Sequence, residues 1–401
     1  MPFYVILIPA LAALIATIWF QPHILKIAKE KNIVDNPDAR KLQRIPIPVM
    51  GGVAVVFGIA IGIMTFNMFG NFDGILNVFA AVLVIMLVGF CDDVRGLSPR
   101  IRFLIEILLV AFLIYATGNQ INNFHGLWGI KELPNWASVP ITIFACVGIL
   151  NAINLIDGVD GYSSGYCIMS SAMFGYVFYE LGNVKMVTLA AIMIAALLPF
   201  FFCNVFGKHS KMFIGDAGTL SMGILMSTFV RNMLTVSTDI SHIADNLGLI
   251  PLSLAIMSVP IFDTLRVMAA RIRRGTSPFY PDKTHLHHLF IDFGFSHIGT
   301  TFSILCMNCL VVLAWYLSYR LGATIDVQLY VVIVMSTLIT FVFYGVMNKQ
   351  LYKKSRACKI MKAIGRRTHF ERQGVWLTLQ KWLDRNATPE EEGENVKDNK
   401  A

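Results

Sequence analysis

Residues 75–93 read ILNVFAAVLVIMLVGFCDD. The run from Ile75 to Cys91 is apolar apart from Asn77, and it stops on Asp92-Asp93. A helix of roughly 20 apolar residues crosses a bilayer, so this stretch predicts a short transmembrane helix. Two carboxylates at its end are costly beside lipid, and such residues are by default a functional-site hypothesis. The juxtaposition recurs. The run Asn151-Ala152-Ile153-Asn154-Leu155-Ile156-Asp157-Gly158-Val159-Asp160-Gly161 closes one apolar stretch. Phe213-Ile214-Gly215-Asp216 opens another, and Asp263 lies inside a third. A basic loop follows, ending in His285-Leu286-His287-His288.

The rest of the chain predicts an all-α polytopic membrane protein. Apolar residues make up 56% of it and charged residues 14%, against about 25% charged in soluble domains. Mean hydropathy is +0.63. Apolar stretches of near-bilayer length fall at about 2–22, 50–70, 75–91, 102–117, 138–156, 163–181, 187–206, 213–231, 248–270, 299–319 and 327–347. They predict about eleven transmembrane helices. Alternation then puts 29 of the 33 Lys and Arg on one side, leaving only Lys131, Lys185, Arg231 and Arg320 on the other. Positive charge stays inside, so the N-terminus is expected outside and the C-terminus and acidic motifs in the cytoplasm. The net charge of +8 follows from that asymmetry and needs no nucleic acid as partner. Phe3 to Phe20 has no basic leader and no small-residue cleavage site, so it reads as a retained span.

Seven cysteines are an odd count, and Cys306/Cys309 have C-x-x-C spacing mid-helix without partner ligands. Buried small hydrophobes are the better reading. Residues 1–348 form the membrane domain. Residues 349–401 form a basic cytoplasmic tail, amphipathic to about 385, then polar and disordered from Thr388 to Ala401.

Each motif has a bland reading beside a chemical one. Asp92 and Asp93 repel each other unless a cation compensates. Mg²⁺ is the common compensation where phosphates are handled; the alternative is a solvated helix end beside Arg95. Asn151, Asn154, Asp157 and Asp160 recur every third residue, which makes a spiral on a helix rather than one face. Gly158 and Gly161 are expected to end that helix near Asp157. Such groups suit a nucleobase, a hydroxyl or a metal, or else a polar contact between helices. Asp216 stands at a helix N-terminus, as a plain cap or a metal ligand. Asp263 has Arg266 at i+3, as in a structural ion pair. The three histidines do not have helical zinc spacing. With Arg271, Arg273, Arg274 and Lys283 nearby they better fit an anionic diphosphate or a sugar.

Taken in order, these pieces resemble the polyprenyl-phosphate N-acetylhexosamine-1-phosphate transferases. The matching segments are Asp35-Asn36-Pro37 with Arg40-Lys41, Pro46 to Gly51-Gly52, Asp92-Asp93, Asn151 to Gly161, Phe213 to Gly218, and Ser277-Pro278-Phe279 through His288. They cover roughly residues 35–290. The H-x-H-H form resembles the WecA and TagO branch rather than the muramyl-pentapeptide branch.

The resemblance implies transfer of a HexNAc 1-phosphate, foremost GlcNAc 1-phosphate, from a UDP-sugar to undecaprenyl phosphate. UMP leaves, and cell-surface polysaccharide synthesis begins. It implies Mg²⁺ or Mn²⁺ as cofactor, the bacterial inner membrane as location, and a homodimer as a possible assembly. By similarity, Asp92, Asp93 and Asp160 are catalytic, and Asp92, Asp93 and Asp216 hold metal. Lys41, Asn154, Asp157, Asn204, Phe213, His285, His287 and His288 bind substrate, with Phe213 stacked on uracil. The competing class is a secondary transporter. Transporters place their acids near the bilayer midplane in repeated halves; here the acids sit at helix ends and no repeat is visible.

Overall fold

A computed structural model describes residues 3–36, 45–70, 74–235, 246–278, 282–369 and 373–387. Lys41, Phe279 and the segment from Thr388 lie outside these residues. The chain is built almost wholly of helices. α1 (Tyr4–Glu30) leads to a two-residue hairpin, β1 (Val34–Asp35) and β2 (Ile47–Pro48). Then come α2 (Gly51–Asn67), α3 (Ile75–Arg95), α4 (Pro99–Thr117), α5 (Asn135–Leu155), α6 (Tyr162–Glu180), α7 (Val184–Phe206) and α8 (Gly215–Met233). α9 (Leu249–Ile256) and α10 (Ser258–Arg273) precede the short α11 (Leu286–Asp292). α12 (His297–Arg320) and α13 (Ile325–Thr337) follow, and a π-helical segment (Leu338–Phe343) joins α13 to α14 (Tyr344–Lys353). The tail forms α15 (Arg356–Arg367) and α16 (Val375–Asp384).

Every one of the eleven apolar stretches is helical. Among the described residues, six helices are long and apolar enough to cross a membrane, or seven if the bent pair α9–α10 counts as one. The helices that fall short are the inner ones or carry charge. α2 has 17 residues, and α4 holds Arg100, Arg102 and Glu106. α8, rich in Gly, Ser and Thr, is buried on all sides from Ala217 to Arg231. A helix hidden by its neighbours has no lipid face to satisfy.

α8 is the axis on which the site is built. α2, α3 and α5 pack against it, and α1 packs on α2 and α7. Close approach at its start depends on missing side chains. A Cβ on Gly52 would run into the Gly218 backbone, and one on Gly89 would lie 2.5 Å from the Asp216 carbonyl. The entries to α2 and α8 are also zipped together. Phe213 N–H donates to Pro48 O at 2.8 Å, Gly51 N–H to Phe213 O at 2.9 Å, and Gly52 N–H to Ile214 O at 2.8 Å.

Two details depart from the sequence pattern. The ninth apolar stretch is not one helix but bends by 72° at Met257. The freed backbone groups find side-chain partners, as they must in lipid. Tyr166 Oη and Asn308 Nδ2 both donate to Ile256 O, at 2.5 and 3.1 Å, and Asn308 Oδ1 accepts from Val259 N–H at 3.1 Å. Cys91, Cys306 and Cys309 are not buried but lie on outward helix faces. In a membrane bundle the outer surface is itself apolar ground, so an apolar pattern does not separate core from lipid face.

Candidate active site

The acidic motifs converge at one end of the bundle. Asp92 and Asp216 come from the end of α3 and the first turn of α8. One guanidinium nitrogen of Arg102 lies 3.0 Å from Asp92 Oδ2 and 3.1 Å from Asp216 Oδ2. Asn154 Nδ2, from the last turn of α5, donates to Asp216 Oδ1 at 2.7 Å and to Thr219 Oγ1 at 2.9 Å. Asp93 has a different job. Its Oδ1 accepts the Asp216 N–H at 2.8 Å and its Oδ2 the Ala217 N–H at 3.1 Å. It therefore caps α8, satisfying free amides at the positive end of the helix dipole. Asp216 is not the cap. Gly215 makes room, since its φ is +67° and a Cβ there would stand 2.5 Å from Asp93 Oδ2.

Beyond α5 the chain makes a turn at 156–161. It reverses on Gly161, whose φ of +75° suits glycine. Asn204 of α7 latches this turn to the next loop. Its Oδ1 accepts from Gly161 N–H and its Nδ2 donates to Met212 O, both at 2.7 Å. Asp160 is gripped by Lys211 Nζ at 2.6 Å and His297 Nδ1 at 2.7 Å. Burial alone would raise its pKa, but these two partners outweigh it and hold the carboxyl below its usual value. Asp157 accepts from Ser163 Oγ at 2.6 Å. Burial by the surrounding protein pushes its pKa up to about 7.

A cleft of about 920 Å³ opens beside these groups. Asp93, Asp157, Asp160, Asp216 and Phe213 face it, as do Lys29, Lys31, Lys208, Lys211, His288 and His297. Acids beside a basic rim suit a polyanionic ligand carried with a cation. The histidine arm reaches the cleft from the other side. His285 Nδ1 lies 3.0 Å from Asp263 Oδ2, and Arg266 donates to Asp263 Oδ1 at 2.6 Å. The ion pair expected from the i+3 spacing is thus real, and it also seats the arm. His287 packs on Gly158. Burial and the neighbouring histidines keep His287 well below its usual pKa and take His288 down to about 4. Both are neutral imidazoles near pH 7; His288 faces the cleft and can hydrogen-bond a sugar without adding charge, whereas His287 is buried behind it. Arg271 and Arg274 are held by Asp282, at 3.0 and 2.7 Å. That pairing ties both to their own loop.

A family profile described as Glycosyl transferase family 4 matches residues 75–233, from α3 to the end of α8. Over 309 residues the chain is 30% identical to a protein of Bacillus subtilis (strain 168) named a probable undecaprenyl-phosphate N-acetylglucosaminyl 1-phosphate transferase. The match covers 75% of this chain and 83% of that one. The chain belongs to glycosyl transferase family 4. Within the family it is also 29% identical over 352 residues to an Escherichia coli (strain K12) protein named an undecaprenyl-phosphate alpha-N-acetylglucosaminyl 1-phosphate transferase, covering 84% of this chain and 89% of the relative. A Salmonella typhi protein of the same name is 28% identical over 384 residues, covering 92% and 99%.

The family profile thus spans the carboxylate cluster and the turn at 156–161. Four residues that the motif reading does not select also belong to this site: Arg102, Glu106, Lys211 and His297. Glu106 is fully buried, 2.5 Å from Asn151 Nδ2 and 3.7 Å from Arg102 Nε. Arg102 and Glu106 stand at i and i+4 inside an apolar stretch, and that polar stripe is the signal that marks them. Lys211 and His297 carry no local signal, because their partner Asp160 is distant in sequence.

Proposed function

We propose that this protein transfers N-acetylglucosamine 1-phosphate from UDP-N-acetylglucosamine to undecaprenyl phosphate, releasing UMP and starting lipid-linked polysaccharide synthesis. The observation that carries this is the convergence of Asp92 and Asp216 on one cationic nitrogen beside the cleft. The names of the curated relatives support the same reading. A phosphate oxygen of the lipid attacks the sugar-bearing phosphorus, the bond to the bridging oxygen breaks, and UMP leaves with that oxygen. Charge balances with both phosphates fully ionised, so no net proton transfer is required. Positioning and charge neutralisation then carry most of the catalysis.

Two hard carboxylate oxygens that already share a cation fit Mg²⁺, or Mn²⁺. Asp92 and Asp216 are the residues that would hold it; Asp93, engaged with two amides, would support Asp216 instead. Bound there, the metal would neutralise phosphate charge. Asp157 and Phe213 face the cleft as nucleotide contacts, and His288 as a sugar contact. Asn204 would shape the nucleotide side through the backbone it latches. The chain would cross the bacterial inner membrane eleven times, with this end of the bundle in the cytoplasm, where UDP-sugars are made. A homodimer is compatible with this arrangement.

The test is UMP release by purified protein in detergent with Mg²⁺ and undecaprenyl phosphate. UDP-GlcNAc, UDP-GalNAc and UDP-MurNAc-pentapeptide are offered separately. UMP from UDP-GlcNAc alone is expected. Release from another donor alone would move the assignment to that UDP-HexNAc, and no release from any would sink it.

A further inference from the structure

The tail beyond the membrane domain does not simply lie alongside it. Asp384, at the end of α16, is 5% exposed. Its Oδ1 accepts three consecutive backbone amides, from Lys208 at 3.1 Å, His209 at 3.0 Å and Ser210 at 2.9 Å, together with Ser210 Oγ at 2.7 Å. Successive amides aimed at one point form an anion nest, here filled by the protein's own carboxylate. Those bonds hold the Asp384 carboxyl below its usual pKa against the effect of burial. α16 is itself fixed to α7 by Trp376, stacked on Phe206 at 5.0 Å between ring centres.

The nest is immediately followed by Lys211, whose Nζ grips Asp160. A second part of the tail holds the other partner of Asp160. Ser296 Oγ donates to Thr368 O at 2.6 Å, and Ser296 N–H to Thr368 Oγ1 at 2.9 Å. Gly365 lies so close to the 293–295 loop that a Cβ would stand 2.7 Å from Phe293 O. The next residue after Ser296 is His297, 2.7 Å from Asp160. Lys211 and His297 thus come from separate loops, each tied at the preceding residue to the tail.

We propose that the C-terminal tail is part of the active-site scaffold, with Asp384 the positioning residue that sets Lys211 against Asp160. This rests on the transferase reading above. The lever is short: Asp384 fixes Ser210, and the pairing with Phe213 fixes the far end. Met212 is itself held by Asn204, so only Lys211 lies between the fixed points, and loss of the nest lets it move without unfolding the bundle.

The experiment is a double-mutant cycle in the full-length protein, read as kcat/KM for UDP-GlcNAc. Asp384→Asn alone is expected to lower it about tenfold. In a Lys211→Met background the same change is expected to cost under about twofold, because its route of action is already gone. Asp384→Glu should recover part of the loss. If Lys211→Met leaves turnover too low to follow, the cycle is read as Kd for UMP by calorimetry, with the same pattern expected. If Asp384→Asn yields no folded protein, Ser210→Ala, which removes one of the four bonds, carries the cycle with a smaller loss. An equal loss in both backgrounds would reduce Asp384 to a structural anchor and overturn the proposal. So would an unimpaired Asp384→Asn in an active wild-type enzyme, which leaves the transferase reading intact. A wild-type protein that releases no UMP from any UDP-HexNAc would instead overturn the transferase reading, and this inference with it.

Discussion

The carboxylate of Asp93 takes the backbone amide of Asp216 at 2.8 Å, so one acidic motif holds the start of the helix that carries another. The two residues should therefore fail differently. Asp93→Ala removes the cap of α8 and should cost about 1 kcal/mol of stability, with turnover falling as Asp216 loses its place. Asp216→Asn should abolish metal-dependent turnover while leaving the thermal midpoint near wild type, because its side chain caps nothing, an amide oxygen still accepts from Asn154, and Arg102 keeps Asp92. UMP release and thermal unfolding in detergent, measured on both variants, check this. Equal midpoints for the two would remove the division of roles.

Arg102 supplies the cation between Asp92 and Asp216, at 3.0 and 3.1 Å. Arg102→Met leaves two carboxylates facing each other without a counter-charge, which is unfavourable at close range. The variant should unfold at lower temperature in EDTA, and Mg²⁺ should raise its midpoint by more than it raises that of the wild type. This readout needs no turnover. The same Mg²⁺ response in both proteins would mean that Arg102 and the metal do not share a place.

Which parts of this site can be read in the sequence depends on how far apart the partners lie. Asp92-Asp93, Asn151 to Gly161 and Asp216 stand out because acids interrupt apolar runs. Asp93 as a cap does not, since its helix lies 123 residues away. Lys211 and His297 vanish among loop charges that topology already explains. Arg102 and Glu106 were legible in principle, as an i, i+4 polar pair within an apolar stretch. The helices themselves follow the hydropathy closely. The break at Met257 does not, because hydropathy runs through it and its rescue comes from Tyr166 and Asn308 on other helices.

Asp157 gives the cleft a titration near neutrality, with its pKa pushed up to about 7. The raised value means that the folded protein holds a proton where the unfolded chain has lost it. Stability from this group is therefore present at low pH and lost as pH rises through about 4 to about 7. Asp157→Asn escapes that loss. Its thermal midpoint should gain on the wild type between about pH 4 and about pH 7. If the ionised carboxylate accepts an N–H of the nucleotide, wild-type affinity for UMP should rise as pH passes about 7 and the Asn variant's should stay flat. Parallel midpoint curves for the two proteins would place the titration elsewhere.

Gly158 joins the turn at 156–161 to the histidine arm. A Cβ there would collide with Nε2 of His287, which is 2% exposed and packed against Tyr162, so it has little room to retreat. The backbone of Gly158 is not left-handed, so alanine brings no conformational strain of its own. Gly158→Ala should therefore act by displacing the arm, and with it His288 from the cleft. Misplacement by about 1 Å can cost about a hundredfold in rate. The loss should fall on kcat/KM for the UDP-sugar, with affinity for UMP, which lacks the sugar, changed far less. His287→Ala opens the space that the new methyl needs, so the double variant Gly158→Ala/His287→Ala should be no worse than His287→Ala alone. A double variant clearly worse than that would mean the methyl acts on the turn itself, through Asp157 and Asp160, and not on the arm.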